Sequence, residues 1–173
     1  LGLFVKKNLV LIGMMGSGKT TLGKIAAKKQ NLQFIDTDSN IEKKNSMTIN
    51  QIFQKKGEDF FRSEEEKEVL KSLKIKNCVI SIGGGAFMNK LVRENILKNS
   101  ISIWLDVDLK TLIKRVSWNK KRPLLVDEDK VIAINKLYAS RKNIYKKANY
   151  RIKCLNLTKE SLVKKIIDLY EKK

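Results

Sequence analysis

Leu9-Val10-Leu11-Ile12-Gly13-Met14-Met15-Gly16-Ser17-Gly18-Lys19-Thr20 is the stretch on which the fold turns. Its first four residues form a short, wholly apolar run, the pattern of a parallel strand covered on both faces. Gly13 to Thr20 then satisfies G-x-x-x-x-G-K-[ST] at every specified position, and Leu22, Ile25 and Ala26 follow at helical spacing. A glycine-rich turn between a strand and a helix lets successive backbone N–H groups curl around phosphate oxygens, and the helix N-terminus adds its partial positive charge. Gly13, Gly16, Ser17, Gly18, Lys19, Thr20 and Thr21 are therefore the candidate residues of a nucleoside triphosphate site. Lys19 is expected to reach the β- and γ-phosphates and Thr20 to join the shell of a Mg²⁺ ion.

Outward from this loop, strand and helix patterns alternate to the end of the chain, with no linker and no internal repeat. Gln33 to Asp36 reads as a second strand, followed by helical sequence over about 40–74 with a break near Gly57. Val79 to Ile82 makes a third strand before Gly83-Gly84-Gly85, and Ile101 to Leu105 a fourth. A helix begins at Asp108, with Leu109, Leu112, Ile113 and Val116 on one face. Periodicity is then lost over about 117–130, where charge is dense and the only proline, Pro123, occurs. A long helix to about Ala148, a strand near Tyr150 to Cys154, and a helix carrying Leu162, Val163, Ile166, Ile167 and Tyr170 complete the pattern. Five strands separated by helices imply an α/β fold with a five-stranded parallel sheet flanked by helices. The aperiodic stretch reads as a lid.

The length of 173 residues is that of one domain, and 42% hydrophobic residues exclude a disordered polybasic tail. The absence of His removes His general bases, Ser-His-Asp triads and His-ligated zinc. Cys78 and Cys154 form no CxxC pattern and read as buried fillers in a reducing compartment. A net charge of +19 raises the prospect of a nucleic-acid or membrane partner. The excess, however, is 31 Lys against only 6 Arg, scattered over every expected helix without a compact basic segment, which favours a solvated surface. Lys6-Lys7 and the apolar run after them resemble the start of a signal peptide, but no small-residue cleavage site follows. With no apolar run approaching the roughly 18 residues of a membrane span, a soluble, cytoplasmic protein is expected. Asn119-Lys120-Lys121-Arg122 lacks the Asp of a guanine-reading motif, and the chain has no room for a second motor domain. A small-molecule kinase fits the size.

Other residues sit where a surface explanation is poor. Period 2 at the end of the second strand puts Asp36 and Asp38 on one face at the carboxyl edge, where open α/β sheets bind ligands. One would serve the metal shell and the other a substrate hydroxyl; the competing reading is that one of them caps the following helix. Arg62 and Glu65 stand i, i+3, with Glu65 on the apolar stripe of Phe61, Val69 and Leu73. That pattern suits either a structural pair or an anion clamp fixed by a buried carboxylate. Arg141 lies on the stripe of Ile134, Tyr138, Tyr145 and Ala148, aimed inward or snorkelling to water. Gly83-Gly84-Gly85 permits close backbone approach at the ligand edge. Asp106 and Asp108 are expected to start the helix after the fourth strand. Arg115, Lys120, Lys121 and Arg122 bracket the lid, where an Arg would meet charge on a transferring phosphoryl group.

Taken together and in order, G-x-x-G-x-G-K-T, F-I-D-T-D, F-F-R-x-x-E, I-G-G-G, R-P-L-L and R-x-x-x-Y-x-x-A resemble the shikimate kinase family over essentially the whole chain. The resemblance implies the P-loop fold of the nucleoside monophosphate kinases in one kinase domain over 1–173, with the phosphate loop at 13–20, a substrate-binding helical region at about 37–66 and the lid at about 117–130. It implies transfer of the ATP γ-phosphoryl group to the 3-hydroxyl of shikimate. Lys19, Asp38 and Arg122 would be catalytic; Asp38, Arg62, Gly84, Gly85 and Arg141 would bind shikimate with Glu65 organising Arg62; Arg115 would lie against adenine, and Thr20 and Asp36 would serve Mg²⁺. A monomer without nucleic-acid or membrane partners is expected. Two rivals stay open: a kinase of another carboxylated polyol such as gluconate, and a basic nucleic-acid-associated ATPase. On this reading Asp36→Asn should depress turnover and alter its Mg²⁺ dependence, whereas Asp106→Asn should leave turnover nearly intact, which a Mg²⁺ titration of both variants checks.

Overall fold

β1 (Asn8–Ile12) is buried at every position and divides its side chains between two cores by its period of two. The computed structural model describes residues 7–117 and 130–172. Leu9 and Leu11 face a core built with α1 (Lys19–Gln30) and α8 (Lys159–Glu171), through Leu22, Ala26, Leu162 and Ile166. Val10 and Ile12 face a second core, which takes Val69 of α4 (Glu58–Lys74), Ile96 of α5 (Lys90–Asn99), Leu112 of α6 (Leu109–Ser117) and Ile134 of α7 (Lys130–Tyr145).

The sheet is entirely parallel, in the order β2 (Gln33–Asp36), β3 (Cys78–Ser81), β1, β4 (Ser100–Asp106), β5 (Tyr150–Lys153). Every strand therefore ends on the same edge, and the phosphate loop, the glycine triplet and Asp36 meet there. The expected five-stranded parallel sheet flanked by helices is what the chain forms.

The helical stretch after β2 differs from its sequence reading in one respect. It is broken twice, into α2 (Thr37–Asn45), α3 (Ile49–Lys56) and α4. Ser46 adopts a left-handed backbone (φ 51°) at the end of α2, and Thr48 opens α3 with a capping box to Gln51. That stop-and-start signal contains no Gly or Pro, which is why the periodicity hides it. Ile41, Ile52 and Phe61 form a small core of their own beside the two sheet cores. α2 meets α4 through Ile41 and Phe61 of this core and through two polar contacts, Lys44 Nζ to Glu64 at 2.6 Å and Asn40 Nδ2 to Glu68 at 2.7 Å.

Buried Asn8 locks the opposite edge of the sheet. Its Oδ1 accepts from Cys78 N at 3.0 Å while Nδ2 donates to the carbonyls of Leu73 and Ile75, so one amide joins β1, the end of α4 and the entry to β3. Asn8→Ala leaves these backbone groups unpaired and should destabilise the fold by about 2–3 kcal/mol, read as a lower denaturant midpoint at unchanged slope.

Candidate functional site

At the carboxyl end of β1, Gly18 takes φ 93° as the N-cap of α1, a conformation open to glycine at little cost, and so points the first N–H groups of α1 into the loop. Lys19 is buried, and its Nζ donates to the carbonyls of Gly13 (2.9 Å) and Met14 (3.0 Å), holding its charge at the centre of the loop. Thr20 Oγ1 donates to Asp36 Oδ2 at 2.7 Å. Two hard oxygens, one from the first turn of α1 and one from the end of β2, thus stand side by side. That donor set suits Mg²⁺, which keeps most of its waters and takes phosphate oxygens with one or two protein groups. On the far side of the loop, Gly16, Thr21, Val107, Arg115, Cys154 and Lys159 line a second cleft, with Arg115 Nη1 donating to Gly16 O at 3.0 Å.

Beyond Lys19 and Thr20 lies a cavity of about 320 Å³ shared by Asp36, Asp38, Arg62, Glu65, Gly83 to Gly85 and Arg141. Phe53, Phe61 and Ile49 form its apolar wall. Glu65 Oε2 accepts from Arg62 Nη1 at 2.8 Å, and Glu58 accepts from Nε and Nη2 at 3.3 Å each, so the guanidinium is gripped on two edges. Arg141 is 5% exposed, which disposes of snorkelling. The triplet glycines let these groups approach: a Cβ on Gly83 would stand 2.5 Å from Glu65 Oε1, and one on Gly85 would overlap the Arg62 guanidinium. Tyr145 Oη donates to the carbonyl of Gly84 and fixes this edge.

Burial pushes the Glu65 carboxyl above its ordinary value, against the pull of Arg62 and Arg141. For Arg62, burial works against the charge, but Glu65 and Glu58 outweigh it and hold its pKa above the usual arginine value. Burial raises the Tyr145 hydroxyl to about 12, so it stays a donor to Gly84 throughout the physiological range.

Asp36 and Asp38 do converge on the cavity, but not by strand alternation. The strand stops at Asp36, whose Oδ1 accepts from Ser39 N at 3.2 Å, and Asp38 sits in the first turn of α2. Asp36 therefore caps the helix and holds Thr20 at once, which merges the two readings of the sequence. Asp108 starts α6 as expected, accepting from Thr111 N at 2.9 Å. Asp106 does not: it ends β4 and pairs with Arg151 and Tyr138, because its carboxylate points across the sheet edge rather than along α6. Cys78 is buried as expected, whereas Cys154 is half-buried: it packs against both cores and also lines the cleft by Arg115. Arg122 and nearly all of the expected lid lie outside the described residues. Sequence reasoning missed Phe53 and Glu58; the latter carries a usable signal, an acid four residues before an inward Arg.

A glycine phosphate loop at the head of a 2-3-1-4-5 parallel sheet, opening onto a small cavity with two inward arginines, defines a P-loop kinase of a small anionic acceptor. The shikimate kinase family model matches residues 15–171. The shikimate kinase of Sulfurihydrogenibium sp. is 40% identical over 161 residues, covering 93% of this chain and 96% of that protein. The crystal structure of the Acinetobacter baumannii shikimate kinase in complex with shikimate superposes with a TM-score of 0.91 at 33% identity, over 94% of this chain and 92% of that one. A Sinorhizobium meliloti gluconokinase shares the fold alone, at a TM-score of 0.62 and 12% identity. The chain belongs to the shikimate kinase family.

Because the folded protein raises the Glu65 pKa, the native state holds this proton more tightly than the unfolded chain; its contribution to stability is full below the ordinary value of 4.5 and falls as pH climbs through the raised value. Glu65→Gln should remove that fall, so the denaturant midpoint of the variant declines less than that of the parent as pH rises through and above 4.5.

Proposed function

We propose that this chain transfers the γ-phosphoryl group of ATP to the 3-hydroxyl of shikimate, giving shikimate 3-phosphate and ADP, with the residues of the cavity in the following roles. Arg62 and Arg141 clamp the shikimate carboxylate, Arg62 being pre-aligned by Glu65 and Glu58. Bare backbone at Gly84 and Gly85 lets the ring lie close to the sheet edge, and Asp38 accepts hydrogen bonds from ring hydroxyls. The acceptor oxygen attacks the γ-phosphorus, the β–γ bridging bond breaks, and the proton of the 3-hydroxyl passes to the Asp38 carboxylate. Lys19 leaves the carbonyls of Gly13 and Met14 for the phosphates, which offer it a full negative charge in place of two dipoles. Loop N–H groups of Gly16, Ser17, Gly18 and Thr21 receive the remaining phosphate oxygens, Arg115 borders the adenine side, and Arg122 meets the phosphates from the lid. Thr20 and Asp36 would hold Mg²⁺, which neutralises phosphate charge.

The observation that carries this reading is the meeting of two inward arginines, Asp38 and a side-chain-free backbone in the cavity that Lys19 and Thr20 also line. In-line transfer needs positioning and charge neutralisation more than a strong base, so a chain without His is equipped for it. A single polypeptide acting as a monomer in the cytoplasm, without nucleic acid, is part of the same reading.

Coupled assay of ADP release with ATP, Mg²⁺ and shikimate tests it. Arg62→Ala and Arg141→Ala should each raise the shikimate KM about ten- to a hundredfold, the worth of a charge-assisted hydrogen bond, with the ATP KM unchanged. Absence of shikimate-dependent ADP release, or a higher kcat/KM for gluconate, would sink the assignment.

A further inference from the structure

α7 carries Arg141 on its buried face, where Ala133, Ile134, Leu137, Ile144 and Tyr145 pack on the core beside the sheet. That stripe sets the rotation of the helix coarsely, with Val131 and Ile132 exposed off it. Rotation matters here, because a step of one residue, about 100°, would carry the Arg141 guanidinium out of the cavity.

Two tyrosines refine it. Tyr138 and Tyr145 lie three residues before and four after Arg141 and share its face. Tyr145 Oη donates to Gly84 O, and its ring packs on Trp104 with centroids 5.7 Å apart. Tyr138 Oη donates to Asp106 Oδ1 at 3.0 Å. Asp106 is itself braced, its Oδ2 accepting from Arg151 Nε at 2.9 Å, and Arg151 stacks over the Trp104 ring at 4.7 Å. Burial, with the Asp106 carboxylate beside it, pushes the Tyr138 hydroxyl above its ordinary value, so it remains the donor. Apolar packing tolerates small rolls that a directional hydrogen bond does not, and two such bonds about 10 Å apart along the axis resist them at both ends of the segment that carries Arg141. The two anchors also lie on opposite flanks of Arg141: one is the glycine edge of the acceptor cavity, the other the end of β4, whose Leu105 carbonyl abuts Gly13 of the phosphate loop.

We propose that Tyr138, with Asp106 as its acceptor, is a positioning residue that fixes the rotation of α7 and so aims Arg141 at the carboxylate of the acceptor substrate; this rests on the reading of Arg141 as a carboxylate clamp. Nothing in the arrangement has Tyr138 or Asp106 touching substrate. Their effect therefore falls on acceptor binding and leaves the phosphoryl-transfer step and nucleotide binding alone.

Steady-state kinetics of the full chain with ATP, Mg²⁺ and shikimate test this. Tyr138→Phe keeps the ring and removes the hydroxyl; it should raise the shikimate KM about fivefold, with kcat and the ATP KM within about twofold of the parent. In an Arg141→Ala background the same change should add nothing, since the group being aimed is gone. Asp106→Asn retains an acceptor oxygen for the hydroxyl and should stay within about threefold of the parent KM, whereas Asp106→Ala should reproduce the Tyr138→Phe value. If Arg141→Ala raises the shikimate KM while Tyr138→Phe leaves it at the parent value, or adds its full factor on top of Arg141→Ala, the positioning role is wrong and the clamp stands. If Arg141→Ala itself leaves the shikimate KM unchanged, the clamp reading fails and the positioning role with it. Should Asp106→Ala not fold, Tyr138→Phe and its double variant decide the matter alone.

Discussion

Around the acceptor cavity the chain is arranged about three Cα atoms that carry no side chain. Glu65 and Asp38 stand so close to Gly83, and Arg62 to Gly85, that a single Cβ would collide with them, and Arg141 reaches the same edge at Gly84. α2, α4 and α7 can bring charged groups to one point only because the end of β3 takes up no volume there. The glycine triplet is thus a steric condition on the helices around it, while the grip of Glu58 and Glu65 on Arg62 comes from their spacing on α4.

Charge is distributed on the same principle. In a partly desolvated cavity an unpaired ion is costly, and a paired one keeps its orientation. Arg62 and Glu65 neutralise one another, Lys19 rests on carbonyl dipoles, and Asp36 divides its two oxygens between Thr20 and a helix N-terminus. Each of these groups has a protein partner that an incoming anion, hydroxyl or cation can replace or join at small cost in reorganisation. The large surplus of lysine takes no part in this; of 31 Lys, only Lys19 is among the buried polar residues of the described chain.

The elements that carry the acceptor-side groups are attached to the sheet differently from the rest. α1 and α8 bury broad apolar stripes against it. α2 and α3 share a small core with Phe61 of α4 and add the polar contacts Lys44–Glu64 and Asn40–Glu68, while two tyrosine hydroxyls supplement the apolar packing of α7. Polar attachment fixes direction without demanding deep burial, which suits helices whose task is to aim side chains into a cavity.

The five parallel strands and the phosphate loop were legible in the sequence, because each is written in local pattern: short apolar runs, a spaced glycine signature, and helical stripes that alternate with them; the order of the strands in the sheet was not. The inward placement of Glu65 was legible for the same reason, since a charge on an apolar stripe has one direction to point. Pattern failed where a specific side-chain hydrogen bond, and not periodicity, sets the direction of a residue. Asp36 and Asp38 were placed on one face by strand alternation, yet it is the helix cap at Asp36 that turns Asp38 into the cavity. Asp106 read as a helix starter and is instead the acceptor for Tyr138 and Arg151, 32 and 45 residues away. The sequence by itself determined the class of fold, the phosphate site and the identity of the charged residues; only the tertiary structure decided which of those charges meet, because a hydrogen bond between groups on separate elements leaves no periodic trace in the order of residues.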